Sequence, residues 1–129
     1  MKYAIQVNSS PYQTNSADTA YQFSKAALEM GHEVVRVFFY QEGVHHAFRY
    51  ATPPGDEVQV VARWTKLAED YGLDLVVCIS AAQRRGLLEL GEARRQGKQD
   101  NDVAEGFRIA GLGLWVEAML IADRFVEFS

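Results

Sequence analysis

Cys78 is the only thiol in the chain, and it closes the apolar run Leu73-Asp-Leu-Val-Val-Cys78, which passes directly into Ile-Ser-Ala-Ala-Gln-Arg-Arg-Gly86. A thiolate, not a thiol, is the nucleophile, and helix starts or nearby cations favour it. The residues beyond Cys78 offer both. Ser80 can cap a helix whose dipole favours an anion at its start, and Arg84 and Arg85 lie within about a turn of that cap. The same residues also fit plain packing, because free cysteine is among the most buried residue types and its neighbours are Leu, Val and Ile. From these residues alone, nucleophile and core filler both stand.

Other candidates carry less chemistry. Arg84, Arg85, Arg94, Arg95 and Lys98 form a basic cluster, readable as a solvated helical face or as charges that favour a thiolate and dock an acidic partner. His45 and His46 are adjacent, so their side chains diverge; with no cysteine nearby and no His-Glu-x-x-His spacing, no metal site is expected. Gly111-Leu-Gly113 has Val116 at the third glycine position of a dinucleotide fingerprint and does not follow the first strand, so it reads as a tight strand-to-helix turn. No Walker loop occurs, no Gly-x-Ser-x-Gly elbow surrounds Ser9, Ser10 or Ser16, and no cofactor is expected.

The elements that must position Cys78 follow from periodicity. Met1–Asn8 alternates as a first strand, and after the polar stretch around Pro11, Asn15 or Ser16 caps a helix that Gly31 ends. His32–Tyr40 is nearly continuous in apolar residues at its end, as an inner parallel strand is. Gln41–Tyr50 reads as a loop with a short helix, Thr52–Asp56 as a break, and Glu57–Tyr71 as a helix stopped by Gly72. Leu73–Ile79 is the third strand and Ala81–Leu90 a helix, followed by a charged segment over Glu89–Lys98 with little periodicity. Phe107–Ala110 is a strand, Leu112–Ala122 a helix and Asp123–Phe128 a last strand. The expected fold is α/β: a three-layer α/β/α arrangement on a mostly parallel five-stranded, Rossmann-like sheet. Ligands and reactive groups gather beyond the carboxyl ends of such strands, here the loops after Val7, Tyr40, Cys78 and Ala110.

With 129 residues, 48% of them hydrophobic, the chain makes one domain over residues 1–129 with a real core. A net charge of −4 argues against direct nucleic-acid binding, which needs basic surface. One cysteine builds no internal disulfide and fits a reducing compartment. No signal-peptide pattern and no apolar run of roughly 18 residues occurs, so a cytoplasmic protein without membrane spans is expected.

Three stretches together resemble a known family: Phe38-Phe-Tyr-Gln-Glu-Gly-Val44, Val77-Cys-Ile-Ser-Ala-Ala-Gln-Arg-Arg-Gly86 and Phe107-Arg-Ile-Ala-Gly-Leu-Gly-Leu-Trp-Val-Glu-Ala118. In this order and spacing they are similar to the DsrE/TusD family of small sulfurtransferase subunits, along essentially the whole chain. Ser80 stands where the family has alanine. The resemblance implies a DsrE-like fold and a sulfur relay in which Cys78 carries sulfane sulfur as a persulfide, with Ser80, Arg84 and Arg85 as support for the thiolate. It further implies a heterohexamer with two homologous subunits, DsrF/TusC-like and DsrH/TusB-like. Sulfur would come from a TusA-like donor and pass to a TusE/DsrC-like acceptor, in tRNA thiouridine formation or in dissimilatory sulfur oxidation. Two rival readings are an assembly subunit, in which Cys78 is packing and the apolar faces around Trp115 and Phe48 serve association, and a redox-sensing thiol protein.

Overall fold

The computed structural model describes residues 1–129. Five strands, β1 (Lys2–Val7), β2 (Glu33–Phe39), β3 (Leu75–Cys78), β4 (Phe107–Ala110) and β5 (Arg124–Phe128), form one sheet in the order β4-β3-β2-β1-β5. Every pairing is parallel. The helices are α1 (Asn15–Glu29), α2 (Val60–Tyr71), α3 (Ile79–Arg84), α4 (Leu90–Arg95) and α5 (Leu112–Ile121), with a 3₁₀ helix over Gln41–Ala47. The sheet is thus wholly parallel with helices on both sides, as parallel strands joined by crossovers require.

Strand alternation assigns the two faces. Tyr3 packs edge-on against Phe23 of α1, and Phe39 edge-on against Trp64 of α2, so these residues face the α1 and α2 layer. On the other face, Trp115 of α5 donates its indole N–H to Gln6 of β1, and Arg36 of β2 donates to the Leu114 carbonyl at 2.7 Å. Val77 pairs with Phe39 and shares the α2 face, so Val76 and Cys78 lie on the α5 face, where Cys78 is in register with Ala110 of β4.

The core explains the near-continuous apolar strands: Ile5, Val7, Val37, Phe39, Leu75, Val76 and Val77 are all buried, and Trp64 is the largest side chain fully enclosed. Gly72 takes the left-handed conformation (φ +65) that ends α2.

Four local expectations are corrected. Asn15 opens α1 within the helix, and Thr14 holds the capping position. Helix α2 begins at Val60 rather than Glu57, because Tyr12 anchors the preceding turn: its hydroxyl donates to the Val58 carbonyl and accepts from the Val60 N–H. The helix placed over Ala81–Leu90 starts earlier and stops at Arg84, since the chain turns at Gly86 (φ +82), whose N–H donates to the Gln83 carbonyl. The charged segment after it contains α4, a short helix held down by the single buried residue Ala93.

Candidate active site around Cys78

Cys78 is the last residue of β3 and occupies the capping position of α3, with extended backbone (φ −62, ψ 124). The strand therefore runs into the helix without a loop, and strand alternation puts the Cys78 side chain on the α5 face. The residue is 2% exposed, whereas Ile79 and Ser80 immediately after it are exposed. Tyr40 extends β2 past the Phe39–Val77 pair and lies on the same face, its ring 6.4 Å from that of Phe38. It is therefore the lateral neighbour of Cys78 across the sheet, as Ala110 is on the other side.

The three expected supporting residues take different places. Ser80 sits inside the first turn of α3, exposed, because the helix begins at Ile79; it does not cap the helix. Arg84 ends α3, exposed and outside any ion pair. Arg85 turns back over the helix: its Nη1 donates to the Ala81 carbonyl at 3.0 Å and its Nη2 to Glu42 Oε1 at 2.6 Å. The guanidinium thus clamps α3 to the 3₁₀ helix, and the hydrogen bond from Arg85 holds the Glu42 carboxyl below its ordinary pKa. Glu42 also meets His45 Nε2 at 3.2 Å. Its role was not visible in the sequence, since nothing in the local pattern marks Glu42 as the partner of a residue 43 positions on.

The two histidines have different surroundings. His45 is half-buried and stacks on Phe48 at 5.1 Å. His46 is fully buried beside Phe39 and Trp64, and its Nε2–H donates to the Ser9 carbonyl at 3.1 Å, which fixes the neutral tautomer. Burial pushes its pKa down to about 4, against the opposing pull of the Ser9 hydrogen bond. The Gly111-Leu-Gly113 turn joins β4 to α5, with Gly111 at the capping position.

Behind the site, a network fixes α5 on its face of the sheet. Arg36, 9% exposed, donates from Nε to Asp74 at 2.6 Å and reaches Glu117 of α5 at 3.3 Å, while Arg108 forks onto both Asp74 oxygens at 2.8 Å.

Comparison with known proteins completes the picture. Residues 1–128 match the DsrE/DsrF-like family. The chain belongs to that family. It is 56% identical to a protein of Allochromatium vinosum named as a sulfurtransferase, DsrE, over all of this chain and 99% of that one. It is 44% identical over 128 residues to a sulfurtransferase TusD homolog of Vibrio vulnificus, covering 99% of this chain and 98% of the relative. The YchN protein of E. coli superposes with a TM-score of 0.79 over 99% of both chains at 19% identity, a likeness of fold. In this DsrE/DsrF-like frame the buried thiol at the carboxyl end of β3 is a nucleophile candidate.

Proposed function

We propose that this chain is a sulfurtransferase subunit that carries sulfane sulfur as a persulfide on Cys78. The supporting observation is the position of the lone thiol: the carboxyl end of an inner parallel strand, next to a short exposed helix, in a chain whose relatives are named sulfurtransferases DsrE and TusD. The Cys78 thiolate attacks the outer sulfur of a donor persulfide. The donor S–S bond breaks, the donor thiolate leaves, and Cys78–S–SH forms. An acceptor thiolate then attacks that outer sulfur and Cys78 leaves as the thiolate, so the exchange has no net redox change. One cysteine per subunit suffices because sulfur arrives and departs on partner proteins. Since Cys78 is 2% exposed, transfer requires a local opening around it; in this reading α3, which follows Cys78 directly, moves aside, and the Arg85–Glu42 pair at its far end resists that movement.

By the same family resemblance, the subunit works in the cytoplasm in a heterohexamer with DsrF/TusC-like and DsrH/TusB-like subunits. Its donor is TusA-like and its acceptor TusE/DsrC-like, and the pathway is tRNA thiolation or sulfur oxidation. Ser80 and Arg84, both exposed on α3, are the residues of this reading that meet the arriving partner. A second reading, an assembly subunit, draws on the buried thiol together with the exposed Leu112, Val116 and Leu120 of α5.

Intact mass after incubation with a persulfide donor separates the two. A gain of one sulfur that disappears in Cys78→Ser supports the carrier; an unchanged mass with a donor that loads a control thiol protein would falsify it.

A further inference from the structure

A cavity of about 580 Å³ opens beyond the carboxyl ends of β1 and β2, walled by the rings of Tyr12, Phe48 and Tyr50, with Glu42, His45 and Asp102 among its lining residues. Two of the rings are unusually bare for aromatic side chains, Tyr12 at 51% and Tyr50 at 61% exposure. Their polar ends are nonetheless occupied. The Tyr12 hydroxyl donates to the Val58 carbonyl, and the Tyr50 hydroxyl donates to Asp100 at 3.1 Å and accepts from Arg49 at 2.6 Å. Ser10, also lining the cavity, donates to Gln13 at 2.6 Å, and the Glu42 oxygens are taken by Arg85 and His45. One carboxylate is left over. The Asp102 backbone carbonyl accepts from the Arg49 N–H, but its half-buried carboxylate joins no ion pair and no hydrogen bond.

We propose that this cavity binds an organic cation, a guanidinium or alkylammonium group, against the faces of Tyr12, Phe48 and Tyr50, with its charge paired to Asp102. Ring faces carry negative potential and attract such groups, and a carboxylate flanked by rings adds a directional partner. The chain already uses this chemistry on one of these rings: the Arg49 guanidinium lies 4.7 Å from the centre of the Tyr50 ring while pairing with Asp100 at 2.6 Å. An anion would face the Glu42 and Asp102 carboxylates, and a purely apolar ligand would leave Asp102 desolvated without a partner.

The source of the cation is a free small molecule or an arginine side chain of a protein, and the test separates them. The ¹⁵N-labelled protein is titrated with methylguanidinium, with a blocked glycyl-arginyl-glycine tripeptide and with N-methylurea, a neutral isostere, reading the amide shifts of Phe48, Ala51 and Asp102. Saturable shifts with methylguanidinium support the site with a free cation as sufficient ligand; shifts with the tripeptide alone support it with a protein side chain as the source. Asp102→Asn, which breaks no bond of the fold, weakens binding about fivefold, and Phe48→Leu weakens it about twofold. No saturable shift with either cation, equal shifts with N-methylurea, or undiminished affinity in Asp102→Asn overturns the proposal.

Discussion

Arg85 closes on Glu42 with two hydrogen bonds to the same oxygen, Nη2 to Oε1 at 2.6 Å and Nε to Oε1 at 3.1 Å. The pair joins the end of α3 to the 3₁₀ helix and so restrains the element that, in the proposed sulfur transfer, moves to uncover Cys78. Removing the carboxylate in Glu42→Ala therefore raises the rate at which a disulfide reagent labels Cys78 in the native protein, by about two- to fivefold, as expected for losing one exposed ion pair from a local opening equilibrium. Labelling at the wild-type rate would mean that α3 is held by something else.

Gly43 lies in the 3₁₀ helix directly against β1. A Cβ built there would stand 2.0 Å from the Val7 carbonyl oxygen and 2.9 Å from its carbon, both backbone atoms of a central strand. Gly43→Ala must push the 3₁₀ helix off the sheet, at a cost of about 3 kcal/mol. Denaturant unfolding measures it, and Gly111→Ala, where an added Cβ meets nothing within 4 Å, is the control expected to lose far less.

Asp74 holds two arginines at once. Burial alone would raise its carboxyl, but hydrogen bonds from Arg108 and Arg36 outweigh this and keep its pKa below the ordinary 3.8. A lowered carboxylate pKa stabilises the fold above the unfolded value, and that contribution is lost as pH falls through the folded one. Asp74→Asn removes the charge closest to the buried Arg36, leaving it the Leu114 carbonyl and the more distant Glu117, and it should cost about 2 kcal/mol in chemical unfolding at neutral pH. Arg108→Gln, which removes an exposed partner, should cost less than half of that.

His46 supplies a second acid-sensitive term. Its folded pKa of about 4 lies below the ordinary 6.5, so the unfolded chain takes up the proton first. Stability from the neutral ring is complete above pH 6.5 and is lost as pH falls from there toward 4, by about 3 kcal/mol in all. Unfolding free energies measured across this window should slope downward, and the slope should flatten in His46→Phe, even if that variant is less stable throughout.

The fold was legible because its signals are local. The apolar endings of β2 and β3, and glycines such as Gly72, sit within a few residues of the structure they specify. Cys78 could be placed at the end of its strand for the same reason. The start of α3 could not, because Ser80 is a strong capping type while the structure uses the Cys78 backbone, and α3 has no amphipathic length to overrule the signal. The partners of Arg85 and Asp74 were invisible for a different reason: each pairing joins residues 34 to 43 positions apart, brought together only by the assembled sheet.

The placement of β1 between β2 and β5 bears on how the chain acquires its shape during synthesis. Tyr3 to Val7 pair on one side with residues that follow within about one helix and on the other with Arg124 to Phe128, and Lys2 and Asp123 are tied across 121 positions. On a ribosome adding roughly 5–20 residues per second, one flank of β1 waits several seconds for its partner strand. For that interval the nascent chain presents a bare apolar strand edge, the condition in which a chaperone or a neighbouring nascent chain can take the place of β5.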